Sequence, residues 1–145
     1  MTHTIHLAAE LPATPERVYG TYLDRRHHAA FTGAPAKIAA RAGAEFSAFD
    51  GVLRGTILQL VPKRLIVQSW GSKNWKSGDV ESTLILSLHP VGRGKTLLEL
   101  VQVNVPEQDF AGVSQGWERY YWAPWREYLS RPRQPAASKA RSGGM

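Results

Sequence analysis

The sequence predicts an α+β domain in which a curved antiparallel sheet wraps around a long C-terminal helix. Residues 113–129 hold three of the five tryptophans and three of the five tyrosines, and several share one face of a helix. Residues 36–105 instead show the period of two that is typical of β-strands. Two short helical patterns precede this region. Sequential strands with the helices grouped apart indicate an antiparallel sheet.

The chain begins with a strand followed by two short helices. The side chains of residues 2–8 alternate, which predicts the first strand. Thr14 is a favoured N-cap residue and Pro15 suits the first helical position, so a helix is predicted from here to about Leu23. A second short helix is expected over residues 25–31.

Five further strands follow one another along the chain. They are predicted over residues 46–48, 52–61, 65–70, 80–88 and 95–105. Asp50-Gly51 predicts a tight hairpin turn, because this pair tolerates positive φ. Residues 72–78 form a predicted loop that carries Trp75. Hairpins of this kind join the strands in sequence, as expected for an antiparallel sheet.

The C-terminal helix has an unusually bulky apolar face. At about 100° per residue one stripe is shared by five side chains, namely Val113, Trp117, Tyr121, Pro124 and Tyr128. Such a face needs a concave surface to cover it, and the predicted sheet supplies one. Proline lacks the N–H that an internal helical position uses, so we expect a bend in the helix near this proline.

Length and charge divide the chain into a folded body and a tail. Its 145 residues are enough for one domain, predicted over residues 1–130, and residues 131–145 read as a disordered basic tail. The tail holds four of the eighteen lysines and arginines and none of the twelve acidic residues. Most of the formal charge of +6 therefore belongs to the tail, and the body is not predicted to bind specific nucleic acid.

Other classes of protein are disfavoured by composition. The absence of cysteine excludes disulfides, thiolate catalysis and sulfur-ligated metals. The first eleven residues lack the basic start and apolar run of a signal peptide, and no apolar stretch is long enough for a membrane span. A cytoplasmic location is the expectation.

Six short motifs occur in an order that resembles a known family. They are Phe49-Asp50-Gly51-x-x-x-Gly55, Leu60-Val61-Pro62, Ile66-Val67-Gln68-Ser69-Trp70, Trp75, Val105-Pro106 and Gln115-Gly116-Trp117-x-x-Tyr120-Tyr121-Trp122. Together they resemble the C-terminal domain of the activator of the ninety-kilodalton heat-shock chaperone's ATPase, across roughly residues 5–130. That domain belongs to the START-like, or SRPBCC, helix-grip superfamily. The resemblance implies a sheet of about seven strands, a cavity between sheet and helix, and a link to chaperones and the stress response.

A ligand cavity is the first functional hypothesis. Its predicted lining is Phe46, Trp70, Trp75, Leu84, Leu86, Trp117 and Tyr121, an apolar set with few polar groups. Gln102 would orient the ligand if its face of the strand points inward, and would be solvated if it points outward. The alternative for the aromatic set is a closely packed core without a cavity.

Metal sites and catalytic groups are weakly represented. The five histidines lack the spacing of a metal site, so no metal or other cofactor is predicted. Glu99 alternates with apolar residues and would attract attention if buried, but such a residue more often faces solvent. No catalytic residue is predicted. The basic clusters at residues 25–28 and 63–64 are interpreted as solvated surface.

Three functions remain open at this point. The first is a non-enzymatic single-domain protein that binds a small, mostly hydrophobic ligand between the sheet and the C-terminal helix. The second is a regulator that interacts with a chaperone ATPase, as the resemblance implies. The third is a small enzyme whose reaction takes place inside the cavity.

Overall fold

A six-stranded antiparallel sheet forms the centre of the computed structural model, which describes residues 2–76 and 81–131. The spatial order of the strands is β1-β6-β5-β4-β3-β2. Their bounds are Thr2–Leu11 (β1), Glu45–Ala48 (β2), Leu53–Val61 (β3), Leu65–Ser72 (β4), Ser82–Pro90 (β5) and Thr96–Pro106 (β6). The predicted α+β architecture is confirmed.

Two short helices follow β1, as predicted. Helix α1 spans Pro15–Leu23, and Thr14 caps it by accepting a hydrogen bond from the backbone N–H of Arg17 at 3.3 Å. Helix α2 spans Arg25–Thr32 and ends at Gly33, whose φ of 79° is the left-handed value that glycine adopts at low cost. The local signals of the sequence therefore placed both helices within one residue of their observed bounds.

The resemblance implied about seven strands, and the described residues form six. The region before β2 contributes an isolated bridge between Lys37 and Ser47 instead of a seventh strand. Its backbone also bonds to β3, where Gly43 N–H donates to the carbonyl of Ile57 at 2.7 Å and Ile57 N–H donates to the carbonyl of Ala44 at 2.9 Å. The segment thus pairs locally with β2 and β3 without forming a further strand.

One glycine of the sequence motifs is required by a close approach of two strands. A Cβ on Gly55 of β3 would lie 1.9 Å from the backbone carbonyl oxygen of Ser69 on β4. Backbone atoms on both sides would have to move to accept any side chain here. The spacing Asp-Gly-x-x-x-Gly therefore joins a turn to a point where β3 and β4 are too close for a side chain.

The concave face of the sheet carries the core. Leu84, Leu86 and Leu88 are buried along β5, as their alternation predicts. Leu84 lies directly between Gln68 of β4 and Gln102 of β6, and both glutamines are fully buried. Two buried side-chain amides, separated by a leucine, therefore lie side by side across the inner face. Each of them needs hydrogen-bond partners within the protein.

The C-terminal helix changes its hydrogen-bonding pattern in the middle. A 3₁₀ turn, Glu107–Asp109, leads into helix α3, Phe110–Gly116. A π-helical segment, Trp117–Trp122, follows, and helix α4, Ala123–Ser130, completes the element. A π turn holds more residues than an α turn, so it rotates every later side chain relative to the earlier ones.

This rotation corrects the predicted stripe. Val113, Trp117 and Tyr121 are buried as expected, but the buried residues that follow are Trp122, Trp125 and Leu129. Pro124 and Tyr128, which a uniform period of 3.6 placed on the stripe, are half-buried. Pro124 lies in the first turn of α4, where a missing N–H costs little. The bend expected there remains a prediction.

The end of the described chain is Arg131, whose guanidinium pairs with Glu127 at 3.1 Å. The predicted disordered tail beyond it lies outside the described residues. Within residues 2–76 and 81–131, no helix combines the length and apolar character that crossing a membrane requires.

Candidate ligand cavity

A cavity of about 530 Å³ lies at one end of the sheet, beside the C-terminal helix. Three elements enclose it: the β2–β3 turn, the end of β4 with the loop that follows, and residues 109–121 of the helical element. Its lining is Phe49, Val52, Leu53, Trp70, Ser72, Asn74, Asp109, Gly112, Val113, Gln115, Gly116, Trp117, Arg119, Tyr120 and Tyr121. Apolar side chains line most of the depth, and polar ones lie along the helix and the loop.

Five aromatic rings form a continuous wall of the cavity. The ring centroids of Trp70 and Trp117 are 6.0 Å apart, and those of Trp117 and Tyr121 are 4.8 Å apart. Phe49 continues the wall with edge contacts to Tyr121 at 5.8 Å and to Tyr120 at 6.0 Å. These rings offer both faces and edges to a bound molecule.

A strained turn places Phe49 at the mouth of the cavity. Phe49, Asp50 and Gly51 all have positive φ, at 52°, 55° and 89°. For the two non-glycine residues this conformation costs on the order of 1 kcal/mol or more each. The contacts of the Phe49 ring with the helix offset part of this cost. The Asp-Gly turn was predicted, and its extension back to Phe49 was not.

The wall is anchored to the sheet by a chain of buried hydrogen bonds. The indole N–H of Trp117 donates to Oε1 of Gln102 at 2.9 Å. Nε2 of Gln102 donates to Oγ of Ser82 at 3.0 Å, and that hydroxyl donates to the backbone carbonyl of Trp70 at 2.6 Å. Gln102 points inward, yet its oxygen and its nitrogen both have partners within the protein. It orients Trp117 in the described structure.

A second buried cluster stands behind Tyr121. Nδ1 of His28 lies 2.8 Å from the backbone carbonyl of Tyr22, which can only accept, so Nδ1 carries the hydrogen. In the neutral ring Nε2 then accepts from the hydroxyl of Tyr121 at 2.9 Å. The hydroxyl of Tyr22 donates to Oε1 of Gln68 at 2.5 Å. The side-chain oxygens of both inner-face glutamines thus accept hydrogen bonds from groups on the helical elements.

Burial governs the ionisation of this cluster. Desolvation lowers the pKa of His28 to about 4, and the hydrogen bond to the carbonyl of Tyr22 opposes that shift. Desolvation also raises the pKa of Tyr121 well above its ordinary value, helped by the nearby Tyr22. The prediction that residues 25–28 are all solvated surface is therefore wrong for His28, which is 0% exposed. Its position three residues before the buried Phe31 on α2 was the available signal.

The structure brings some of the predicted site residues to the cavity and leaves others elsewhere. Trp70, Trp117 and Tyr121 line it. Trp75 packs on Trp70 at 5.7 Å, and its indole N–H donates to Asp109 at 2.7 Å. The remaining four, Phe46, Leu84, Leu86 and Gln102, are buried in the core outside the lining. The role of each in ligand binding remains a prediction.

Sequence reasoning missed the mouth of the cavity. Phe49, Val52 and Leu53 come from the turn and the start of β3, and Arg119 and Tyr120 come from the outward side of the helix. Their signal was the Phe-Asp-Gly motif together with an exposed tyrosine beside the stripe. Neither signal reveals that the turn folds against the helix, because that contact joins residues about seventy positions apart.

The histidine and acidic side chains of the described residues are spread over the fold. Among residues 2–76 and 81–131, no three histidine, aspartate or glutamate side chains are grouped to hold a metal ion. Glu99 is about half exposed and pairs with His89 at 2.9 Å, away from the cavity lining. The expectation that Glu99 faces solvent is confirmed.

Comparison with known proteins places this geometry in a family. A family model described as "Activator of Hsp90 ATPase homolog 1-like protein" matches residues 12–130. The human activator of 90 kDa heat shock protein ATPase homolog 1 is 31% identical over 121 residues, which cover 83% of this chain and 35% of the relative. The homolog from Dictyostelium discoideum is 30% identical over 118 residues, which cover 81% of this chain and 30% of the relative. The chain spans about a third of the length of these relatives.

Solved structures agree on the fold. The crystal structure of an HSP90 activator from Plasmodium falciparum matches with a TM-score of 0.79 at 21% identity, covering 90% of this chain and 99% of that one. A likeness at 21% identity shows a shared fold. Because the family model covers most of the residues, this chain belongs to the activator of Hsp90 ATPase homolog 1-like family, with the START-like helix-grip fold.

Proposed function

We propose that this protein is a non-enzymatic binding module that holds a small, mostly hydrophobic ligand in the cavity beside the C-terminal helix. The observation that carries the proposal is the aromatic wall around a space of about 530 Å³. This volume is within the range of about 300–1,000 Å³ that is typical of small-molecule sites. Water against such a wall is unfavourable, and an apolar ligand that displaces it gains free energy in proportion to the buried area.

Native mass spectrometry of the protein purified from its own cells tests this proposal. We expect a reproducible mass above that of the polypeptide. Val52 lines the cavity, so Val52→Trp should fill part of it and weaken binding at least about tenfold, a change of roughly 1.4 kcal/mol, which lowers the bound fraction. Leu58→Trp is the matched control, because Leu58 is 50% exposed on β3 and lies outside the lining. It should retain the ligand.

A bare polypeptide mass in all three proteins would count against the proposal. Equal loss of the extra mass in both variants would indicate a ligand bound elsewhere.

We propose as a second function that the chain regulates a chaperone ATPase. The family and the names of its relatives support this proposal, and that support is at least as strong as the support for the ligand. The matched residues correspond to about a third of those relatives, so the activity of the whole relative is carried over here as a hypothesis.

Steady-state ATP hydrolysis by the ninety-kilodalton chaperone of the same organism tests the second function. We expect the rate to rise as this chain is added and to saturate at a defined stoichiometry. The chain without the chaperone should hydrolyse no ATP. A rate that stays at the level of the chaperone alone, with no complex in size-exclusion chromatography, would contradict it.

A further inference from the structure

One buried polar group in the cavity wall has no partner. Trp70 is 5% exposed, and among residues 2–76 and 81–131 its Nε1 is the buried side-chain nitrogen or oxygen without a hydrogen bond. Three other indole nitrogens of the protein have hydrogen-bond partners. Trp75 donates to Asp109, Trp117 to Gln102 and Trp125 to Thr21, each within 2.9 Å. Native structures rarely leave a buried donor unpaired, so the unpaired indole N–H of Trp70 needs a physical explanation.

The position of Trp70 links this donor to the cavity. Its side chain lines the space, and its ring lies between those of Trp75 at 5.7 Å and Trp117 at 6.0 Å. The Trp70 backbone carbonyl already accepts from Ser82, which holds this part of β4 in place. The main chain is thus fixed while the indole N–H remains unused.

We propose that the cavity ligand is a flat, uncharged apolar compound with a carbonyl oxygen that accepts a hydrogen bond from Nε1 of Trp70. This inference rests on the proposed ligand-binding function and names the class of ligand. At this buried nitrogen a neutral acceptor fits better than a carboxylate, because burying a charge there is far more costly than burying a carbonyl, and the cationic Arg119 of the lining is exposed on the outward side of the helix. A flat ring system fits the faces of Trp70, Trp117 and Tyr121.

Access to the nitrogen requires a small rearrangement. Nε1 is itself buried, so a ligand atom reaches it when a neighbouring ring moves. Trp75 is the neighbour suited to this, because it is only half-buried, on the loop after β4. Its movement would break the hydrogen bond from its indole N–H to Asp109. Binding should therefore perturb the indole signals of Trp70 and Trp75 together.

The test compares two probes of nearly identical shape, 9-fluorenone and fluorene, which differ by the carbonyl oxygen. Binding to the full chain is measured by fluorescence quenching and by the ¹H–¹⁵N indole resonances. We expect fluorenone to bind about 2- to 13-fold more tightly, the effect of one hydrogen bond. The Trp70 resonance, assigned by its loss in Trp70→Phe, should move downfield with fluorenone and not with fluorene.

Two variants sharpen the test. Trp70→Phe keeps an aromatic ring and removes the donor, so it should bind both probes equally. Trp75→Phe removes an indole N–H that already has a partner, so it should keep the preference for fluorenone. If Trp70→Phe does not fold, the indole resonance of Trp70 is assigned in the natural protein by nuclear Overhauser contacts to its own backbone, and its shifts decide the matter.

The outcomes separate this inference from the function on which it rests. If both probes bind the natural protein equally and compete with each other, the cavity binds ligands but the carbonyl assignment is overturned. If neither probe binds, both the assignment and the ligand-binding proposal fail. If Trp70→Phe still binds fluorenone more tightly than fluorene, another donor bonds to the carbonyl and the assignment to Trp70 is overturned.

Discussion

Replacing Trp117 with alanine is expected to lower the free energy of unfolding by about 3–5 kcal/mol, as for other large aromatic residues removed from a core. Trp117 is 2% exposed and contacts the rings of Trp70, Tyr121 and Trp122. Its removal also leaves the buried oxygen of Gln102 without a donor, which adds a desolvation cost. Urea unfolding followed by circular dichroism measures the change.

Tyr120→Ala is the matched control for this loss. Tyr120 lies on the same π-helical segment but is 51% exposed, so its removal should cost less than about 1 kcal/mol. Similar losses in the two variants would show that the segment contributes through its backbone and not through the buried ring. A loss below about 1 kcal/mol for Trp117→Ala would contradict the anchoring of the helix by this residue.

Stability should fall by about 3 kcal/mol through His28 alone as the pH drops from about 6.5 to about 4. In the unfolded chain the pKa of histidine is about 6.5, and in the folded protein burial lowers the pKa of His28 to about 4. Between these values the unfolded state binds a proton that the folded state does not, so acid favours unfolding. The full contribution is present above pH 6.5, and below pH 4 the loss is complete.

Two single variants isolate this effect from the carboxylates that titrate nearby in pH. His28→Gln should have lower stability at pH 7 and a shallower decline between pH 6.5 and 4. His27→Gln, on the adjacent exposed position of α2, should keep the decline of the natural protein. The free energy of unfolding from urea titrations at pH 4, 5, 6 and 7 measures it. Identical slopes in all three proteins would refute the buried neutral state of His28.

The sequence alone determined the elements and their order, because their signals are local. Thr14 and Pro15 start α1 by satisfying and pre-shaping the first turn, and Asp50-Gly51 supplies the positive φ of the β2–β3 turn. Leu84, Leu86 and Leu88 lie on one face because successive side chains of a strand alternate. The ordered motifs also identified the family that the comparisons confirm.

Which side chains form the cavity is decided by the tertiary structure, because the cavity lies between residues that are far apart in the sequence. The π-helical segment rotates the helix, so that Trp125 and Leu129 are buried in place of Pro124 and Tyr128. A sequence prediction that uses a uniform period of 3.6 residues per turn cannot show that a π turn holds an additional residue.

The same holds for the polar groups. The buried ring of His28 has its partner in the hydroxyl of Tyr121, ninety-three residues away along the chain. The side-chain oxygen of Gln102 accepts a hydrogen bond from Trp117 and is not solvated. The indole N–H of Trp70 has no hydrogen-bond partner, whereas that of Trp117 has one. Hydrogen bonds between elements depend on distances that composition and periodicity do not encode, so the chemistry of this cavity became visible only when the sheet and the helix were placed together.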